Sequence, residues 1–286
     1  MQGLDLLLIN IPPESRKKPS DLSFPFVKSI NFGLLSLASH LKQQGYSISI
    51  YDFTSSSDFS LDELLKIIHC NPPLSVGLSC ISGYSYIRAQ QVAAKIKINY
   101  PDLQIIIGGQ HHIGVLAESA LRECEHFDIA VKGEGERIVQ LILDSIKRHA
   151  SLNSIPNIVY RNNENQIVST LCSDKTDLIR IPLLDYSLYP NITSFAPSVE
   201  VSRGCIFNCA FCVSSHTKIR HKSIKEIVNE SKTLVELYGI EHLPIYYETP
   251  VFLLNDSDLQ LLALLRERDR LHFTWRTETR VEYLTS

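Results

Sequence analysis

Apolar residues recur along the first half of the chain in two alternating rhythms. Leu6 to Ile11 is an apolar run broken only by Asn10, and after a Pro-rich loop Leu34, Leu37, Ala38 and Leu41 fall at helical spacing, closed by Gly45. The pattern predicts a strand followed by a helix. Ser47 to Phe53 predicts the next strand, and Ser60 with Glu63 forms a capping box ahead of Leu61, Leu64, Leu65 and Ile68. Leu74 to Cys80 predicts a third strand, with Ala89, Val92, Ala93 and Ile96 on one face of the helix after it. Gln104 to Ile107 predicts a fourth strand ending in Gly108-Gly109, followed by a helix around Val115 to Cys124. Phe127 to Val131 predicts a fifth, followed by Gly133-Glu134-Gly135-Glu136 and a helix bearing Val139, Ile142, Leu143 and Ile146.

Near-continuous apolar strands alternating with amphipathic helices are what a parallel sheet covered on both faces requires, because right-handed crossovers place helices on each side. Residues 1–150 are therefore expected to form a flavodoxin-like, doubly wound α/β domain. Ligands of such sheets bind beyond the carboxyl ends of the strands, where the strand order reverses. The candidate ligand loops are 11–33, 80–84, 108–114 and 132–136, with Ser79, Ser82, Gly108 and Gly109 as candidate cofactor-binding residues. Glycines there would let a ligand approach the backbone closely.

Residues 151–197 differ. Ile158 to Tyr160 and Gln166 to Ser169 flank the polar turn Asn162-Asn163-Glu164-Asn165, which predicts a hairpin, and Ile181 to Pro190 has no clear period and is read as a linker. From residue 198 the alternation restarts: a strand Ser198 to Ser202, a helix capped by Ser223 and Glu226, then strands His242 to Tyr247 and Leu271 to Trp275 around a helix Leu259 to Glu267. Residues 198–286 are expected to begin a second α/β domain.

Composition adds exclusions. With 44% hydrophobic and 21% charged residues and a net charge of −3, the chain is of ordinary globular make-up. No basic run is long enough for a nucleic-acid groove. The apolar start is too short to span a bilayer and lacks a basic leader. Seven cysteines, an odd number without an export signal, are expected to be reduced thiols of a cytoplasmic protein. Cys70, Cys80, Cys124 and Cys172 are scattered and are read as small buried hydrophobes.

The other three cluster as Cys205-Ile206-Phe207-Asn208-Cys209-Ala210-Phe211-Cys212, a C-x3-C-x2-C spacing in a loop after a strand. A cubane iron-sulfur cluster usually takes four cysteines, so three would leave one iron open to a substrate. A tetrahedral zinc site of Cys205, Cys209, Cys212 and His216 is the alternative.

The segment resembles the CxxxCxxC signature of radical-SAM enzymes, including the aromatic Phe211 before the last cysteine. The first domain resembles the cobalamin-binding domain that precedes the radical-SAM barrel in one large subgroup, through Leu8-Ile9-Asn10-Ile11-Pro12-Pro13, Gly33 to Ala38, Gly108-Gly109-Gln110-His111 and Gly133-Glu134-Gly135-Glu136. Pro182-Leu183-Leu184-Asp185 and Trp275 to Arg280 resemble it too. The Asp-x-His-x-x-Gly loop of methionine-synthase-type cobalamin domains is missing after Asn10, so the resemblance implies no cobalt ligation from that loop.

The resemblance implies a 4Fe-4S cluster on Cys205, Cys209 and Cys212 as the metal and catalytic centre, with S-adenosylmethionine cleaved to a 5′-deoxyadenosyl radical. Phe211 would lie beside the adenine and Glu248 would face the amino group. Cobalamin would be a second cofactor, a small molecule the substrate, and a flavodoxin or ferredoxin the electron donor. Methyl transfer to an unactivated carbon and radical rearrangement or cyclisation are the reactions implied. Val199 to Ser286 supplies only about three units of the partial (β/α) barrel at ~31 residues each. The chain is thus expected to be C-terminally truncated, and the second function class is an inactive cluster- or zinc-binding protein with an assembly or regulatory role.

Overall fold

The computed structural model describes residues 3–12, 28–55, 60–81, 83–109, 113–173, 180–215, 217–240, 242–252 and 255–281. Two compact units emerge, one built on residues 33–178 and the other on 191–286. Between them in sequence, Ser187–Pro190 belongs with the first unit and the residues just before it with the second.

The first unit runs β1 (Leu4–Asn10), α1 (Phe32–Gln43), β2 (Ile48–Asp52), α2 (Leu61–Cys70), β3 (Pro73–Ser79), α3 (Gly83–Asn99), β4 (Gln104–Gly108), α4 (Ile113–Glu123), β5 (Ile129–Val131), α5 (Glu136–Lys147), β6 (Ile158–Arg161) and β7 (Ile167–Ser169). The strands form one sheet in the order β2-β1-β3-β4-β5-β6-β7. β1 to β5 pair in parallel, as the apolar strands and amphipathic helices predict. The order reverses between β1 and β3, the flavodoxin-like pattern.

Alternation along each strand divides the core. Leu7 and Ile9 of β1, Val76 and Leu78 of β3 and Ile105 and Ile107 of β4 are buried with the apolar faces of α2, α3 and α4. α1 and α5 belong together: Ser36 Oγ donates to Glu136 Oε1 at 2.6 Å, and Tyr46 just after α1 donates to Asp144 Oδ1 at 2.6 Å. Full burial of one such aliphatic side chain contributes about 1.5–3 kcal/mol, so a two-faced core of this kind dominates the unit's stability.

Two details differ from the sequence pattern. The hairpin of β6 and β7 joins the main sheet antiparallel to β5, covering an edge that would otherwise offer unpaired backbone groups. The fifth strand is shorter than the apolar run, because the Asp128 carboxylate turns to the Ile105 N–H at 2.7 Å and to Lys97 at 2.8 Å.

The second unit contains β8 (Ser198–Glu200), β9 (Ser202–Arg203), β10 (Arg220–His221), α6 (Ile224–Tyr238), β11 (Leu243–Glu248), α7 (Asp256–Arg268) and β12 (Phe273–Arg276). β8, β11 and β12 pair in parallel, each beside its predecessor, as in the opening of a β/α barrel. The strand expected over 198–202 divides at Val201. Its N–H donates to Glu248 O at 2.8 Å while its carbonyl accepts from Lys222 N at 2.9 Å, handing the chain from the sheet to the β9–β10 ribbon. Ser223 and Glu226 form the expected capping box of α6, and Asn255 with Asp258 forms another on α7. Among the described residues no helix is long and apolar enough to cross a membrane.

A buried ion pair ties this unit together. Lys222 Nζ lies 2.7 Å from Glu230 Oε1, and the same carboxylate accepts from the Leu184 N–H at 3.0 Å and lies 3.3 Å from the Tyr186 hydroxyl. Tyr186 also donates to Ser198 O at 2.9 Å. The segment read as an unpatterned linker is therefore fastened to α6 and β8. Burial pushes the Glu230 carboxyl up, against the opposing pull of Lys222. Glu230→Ala would leave a buried lysine unpaired and is expected to cost the unit about 3–5 kcal/mol in urea unfolding. A loss under about 0.5 kcal/mol, the range of ordinary surface changes, would show that the pair does not fasten the segment.

Candidate functional site

At the carboxyl edge of the first sheet the apolar strands end in a row of polar residues. Asn10 is in register with Asp52 on one side and Ser79 on the other, and Ser79 with Gly108. The buried Asp52 carboxylate is already engaged by Tyr189 Oη at 2.6 Å and by the Thr54 N–H and hydroxyl, each at 2.7 Å. Gly108 and Gly109 have different reasons to be glycine. A Cβ on Gly109 (φ +141°) would stand 2.0 Å from Cys80 O, whereas a Cβ on Gly108 would meet nothing within 4 Å. Gly109 permits the two loops to touch, and Gly108 leaves open space beside the row. Ser82, Gln110, His111 and His112 lie outside the described residues.

The cysteine loop leaves the second unit's sheet through β9. Arg203 is held by a bidentate pair, its Nε 2.9 Å from Glu200 Oε1 and its Nη2 3.1 Å from Oε2. Gly204 follows at φ +86°, where a Cβ would stand 2.2 Å from Lys218 O. The loop then closes through Thr217, whose N–H donates to Cys205 O at 2.9 Å and whose hydroxyl accepts from the Cys205 N–H at 3.0 Å. Inside it, the Cys212 N–H donates to Cys209 O at 3.0 Å.

All three thiols are free; Cys205 is buried, and Cys209 and Cys212 are half-buried. Of the four scattered cysteines, Cys80 and Cys124 are buried as expected, whereas Cys70, at the end of α2, and Cys172 are exposed. Phe211 is 91% exposed, and the Arg280 guanidinium lies 4.2 Å from the Phe207 ring centre. Among the described residues no three His, Cys, Asp or Glu side chains converge on a position for a single metal ion. His216, the fourth ligand of the zinc alternative, lies outside them. The donor set itself, three reduced thiols on one hydrogen-bonded loop at the end of a strand, suits a cubane, which takes its cysteines at separate irons.

Carboxylates gather at the same strand ends. Glu200 of β8 and Glu248 of β11 are in register, and Glu278 follows β12. The Glu248 carboxyl is pushed up by burial and then by the charges of Glu278 and Glu200. Tyr246 is raised to about 12 by burial, helped by Glu248 and Glu278. Residues 277–279 run beside the end of β11, with Thr277 Oγ1 donating to Tyr247 O at 2.9 Å and Thr279 Oγ1 to Phe252 O at 2.8 Å. Of the sequence candidates, Glu248 thus sits in a concentrated acidic field. Glu200, Glu278 and Thr217 were not foreseen; a charged residue between Val199 and Val201 was the available signal for the first.

Residues 27–143 match the B12 binding domain family. Over nearly its whole length the chain is similar to an uncharacterized methyltransferase of Pyrococcus horikoshii, 27% identical over 98% of this chain and 61% of that protein. The anaerobic magnesium-protoporphyrin IX monomethyl ester cyclase of Rubrivivax gelatinosus is 26% identical over 86% of this chain and 46% of its own length. The fold is similar to that of the radical S-adenosylmethionine methyltransferase TsrM from Kitasatospora setae. The TM-score is 0.69 at 17% identity, covering 93% of this chain and 51% of that one. The likeness in fold covers residues of both units, while the chain spans about three fifths or less of these relatives' lengths.

The two glycines at the end of β4 give a contrast to measure. Gly109→Ala forces a side chain into backbone and is expected to destabilise the domain by at least about 2 kcal/mol, whereas Gly108→Ala stays within about 0.5 kcal/mol. Equal thermal stabilities for the two variants would show that the Cys80 loop is not held against Gly109.

Proposed function

We propose that the chain is a radical-SAM enzyme, or part of one, that reductively cleaves S-adenosylmethionine at a 4Fe-4S cluster on Cys205, Cys209 and Cys212, and that cobalamin on its B12-binding domain serves methyl transfer to an unactivated carbon. The observation that carries this reading is the closed three-thiol loop at the same strand ends as the Glu200–Glu248 pair. When bound, the cluster would supply the one electron that breaks a sulfonium carbon–sulfur bond, giving methionine and a 5′-deoxyadenosyl radical, and cobalamin would supply the methyl group. TsrM is described with both cobalamin and a [4Fe-4S] cluster bound, which supports the pairing of cofactors.

The chain's own residues have separable roles in this reading. Arg203 neutralises Glu200, and Glu248, with the charge of Glu278 close by, attracts the ammonium of the amino acid moiety. The exposed Phe211 ring offers a face for adenine to stack on. Ser79, Gly108 and Gly109 bound the cobalamin edge, and Ser82 is a further candidate from the sequence. In domain terms residues 1–150 bind cobalamin, 151–197 connect, and 198–286 hold the cluster. The substrate is a small molecule, and a flavodoxin or ferredoxin supplies the electron.

Anaerobic reconstitution with iron and sulfide is expected to give a brown protein with about four irons per chain, and 5′-deoxyadenosine on addition of dithionite and S-adenosylmethionine. Cys209→Ala should abolish both while leaving the B12-binding domain folded. Zinc without colour would overturn the reading.

The raised Glu248 carboxyl gives a pH signature. Its protonated form cannot pair with an ammonium, so S-adenosylmethionine affinity rises with pH through a range above the ordinary value of 4.5 and then levels off. Glu248→Gln should weaken binding and flatten that rise. An unchanged profile in the variant would remove Glu248 from the site.

A further inference from the structure

Thr217 makes contacts that its exposed position does not require. Its N–H donates to Cys205 O at 2.9 Å, and its hydroxyl accepts from the Cys205 N–H at 3.0 Å and donates to Ser214 O at 2.7 Å. The residue thus meets both backbone groups of Cys205, the carbonyl through its own N–H and the N–H through its hydroxyl, and the hydroxyl alone also reaches a carbonyl just beyond the third cysteine. A threonine hydroxyl can donate and accept at once, and here both capacities are used. The contact is reinforced from the other strand of the ribbon. Gly204, immediately before Cys205, leaves no room for a Cβ against Lys218 O, immediately after Thr217.

We infer that Thr217 is a positioning residue for the cysteine loop, fixing Cys205 relative to the turn that carries Cys209 and Cys212 before any cluster is present. The inference rests on the cluster reading for its consequence but not for its geometry. A loop of this length left open would lose conformational entropy when its thiolates are drawn onto a cluster; closing it in advance removes part of that cost from binding. The hydroxyl's position relative to Ser214 matters as much as its bond to Cys205. Without it the closure at Cys205 rests on the Thr217 N–H to Cys205 O bond, and the direct tie to Ser214 O is lost.

Thr217→Val tests this, because valine keeps the β-branched shape and backbone preference and removes only the hydroxyl. Thr217→Ser restores the hydroxyl and serves as the rescue. Two measurements on the full chain are needed. In the metal-free protein, alkylation of Cys205 should be about fivefold faster in the valine variant, the factor expected for one lost hydrogen bond of ordinary strength, and near wild type in the serine variant. The buried Cys80 and Cys124 serve as internal references and should not change. After reconstitution, the valine variant should lose iron to a chelator severalfold faster and show a shifted electron paramagnetic resonance spectrum of the reduced cluster, both recovered by serine.

Wild-type alkylation and iron retention in Thr217→Val would overturn the inference. Faster alkylation that serine does not rescue would overturn it too, since the hydroxyl would not be the agent. If wild-type protein takes up no iron, the cluster reading fails, and the alkylation rates alone still decide whether Thr217 holds the loop.

Discussion

In-register parallel pairing is the constraint on which the chemistry of both units depends. Strands that run the same way, with their return segments packed behind them, deliver all their carboxyl ends to one edge, and the period of two puts matched positions on the same face. In the first unit this aligns Asp52, Asn10, Ser79 and Gly108; in the second it aligns Glu200 with Glu248. A slip of one residue would turn each of these side chains to the opposite face and bury apolar neighbours in their place. The same burial that stabilises the sheets therefore holds the rows in line.

Several interior polar groups follow a second rule: they join segments distant in the chain. Ser36 meets Glu136, Tyr189 meets Asp52, and Lys222, Leu184 and Tyr186 meet Glu230. A buried carboxylate is costly unless its lone pairs are met, so each can form only when its partners arrive together. Hydrophobic contact alone would let the 184–186 segment slide over α6. The charge gives it one position.

Most of the first unit was legible in the sequence because parallel strands are apolar on both faces and short, while the helices between them keep one apolar stripe. The cysteine spacing was equally open to reading, since three thiols within eight residues have few structural uses. Other features left no periodic trace. β9 and β10 have two residues each and no alternation to detect. Thr217 acts through backbone groups whose partners only the folded loop reveals. Glu278 joins the acidic field because residues 277–279 run beside the end of β11, a placement no local pattern encodes, and the 181–186 segment lacked a period because its order comes from one carboxylate rather than from a helical or strand face. The Asn255 and Asp258 cap was present in the sequence with the same spacing as Ser223 and Glu226, and it passed unnoticed because both its residues also suit a loop.

One architectural rule thus serves two kinds of edge. The first ends in neutral or already satisfied groups and a glycine with open space beside it, suited to a bulky ligand that needs room and backbone contact more than charge. The second concentrates carboxylates, of which Glu200 is paired with Arg203, beside a loop of thiols, suited to a cationic ligand next to a metal cluster. S-adenosylmethionine carries both a sulfonium and an ammonium, and the proposed assignment of cofactors follows this difference in charge. The alternative assignment, cobalamin at the acidic edge and a cation at the neutral one, would offer Glu248 and Glu278 no cationic ligand and would set a cation beside Asp52, whose oxygens are already engaged.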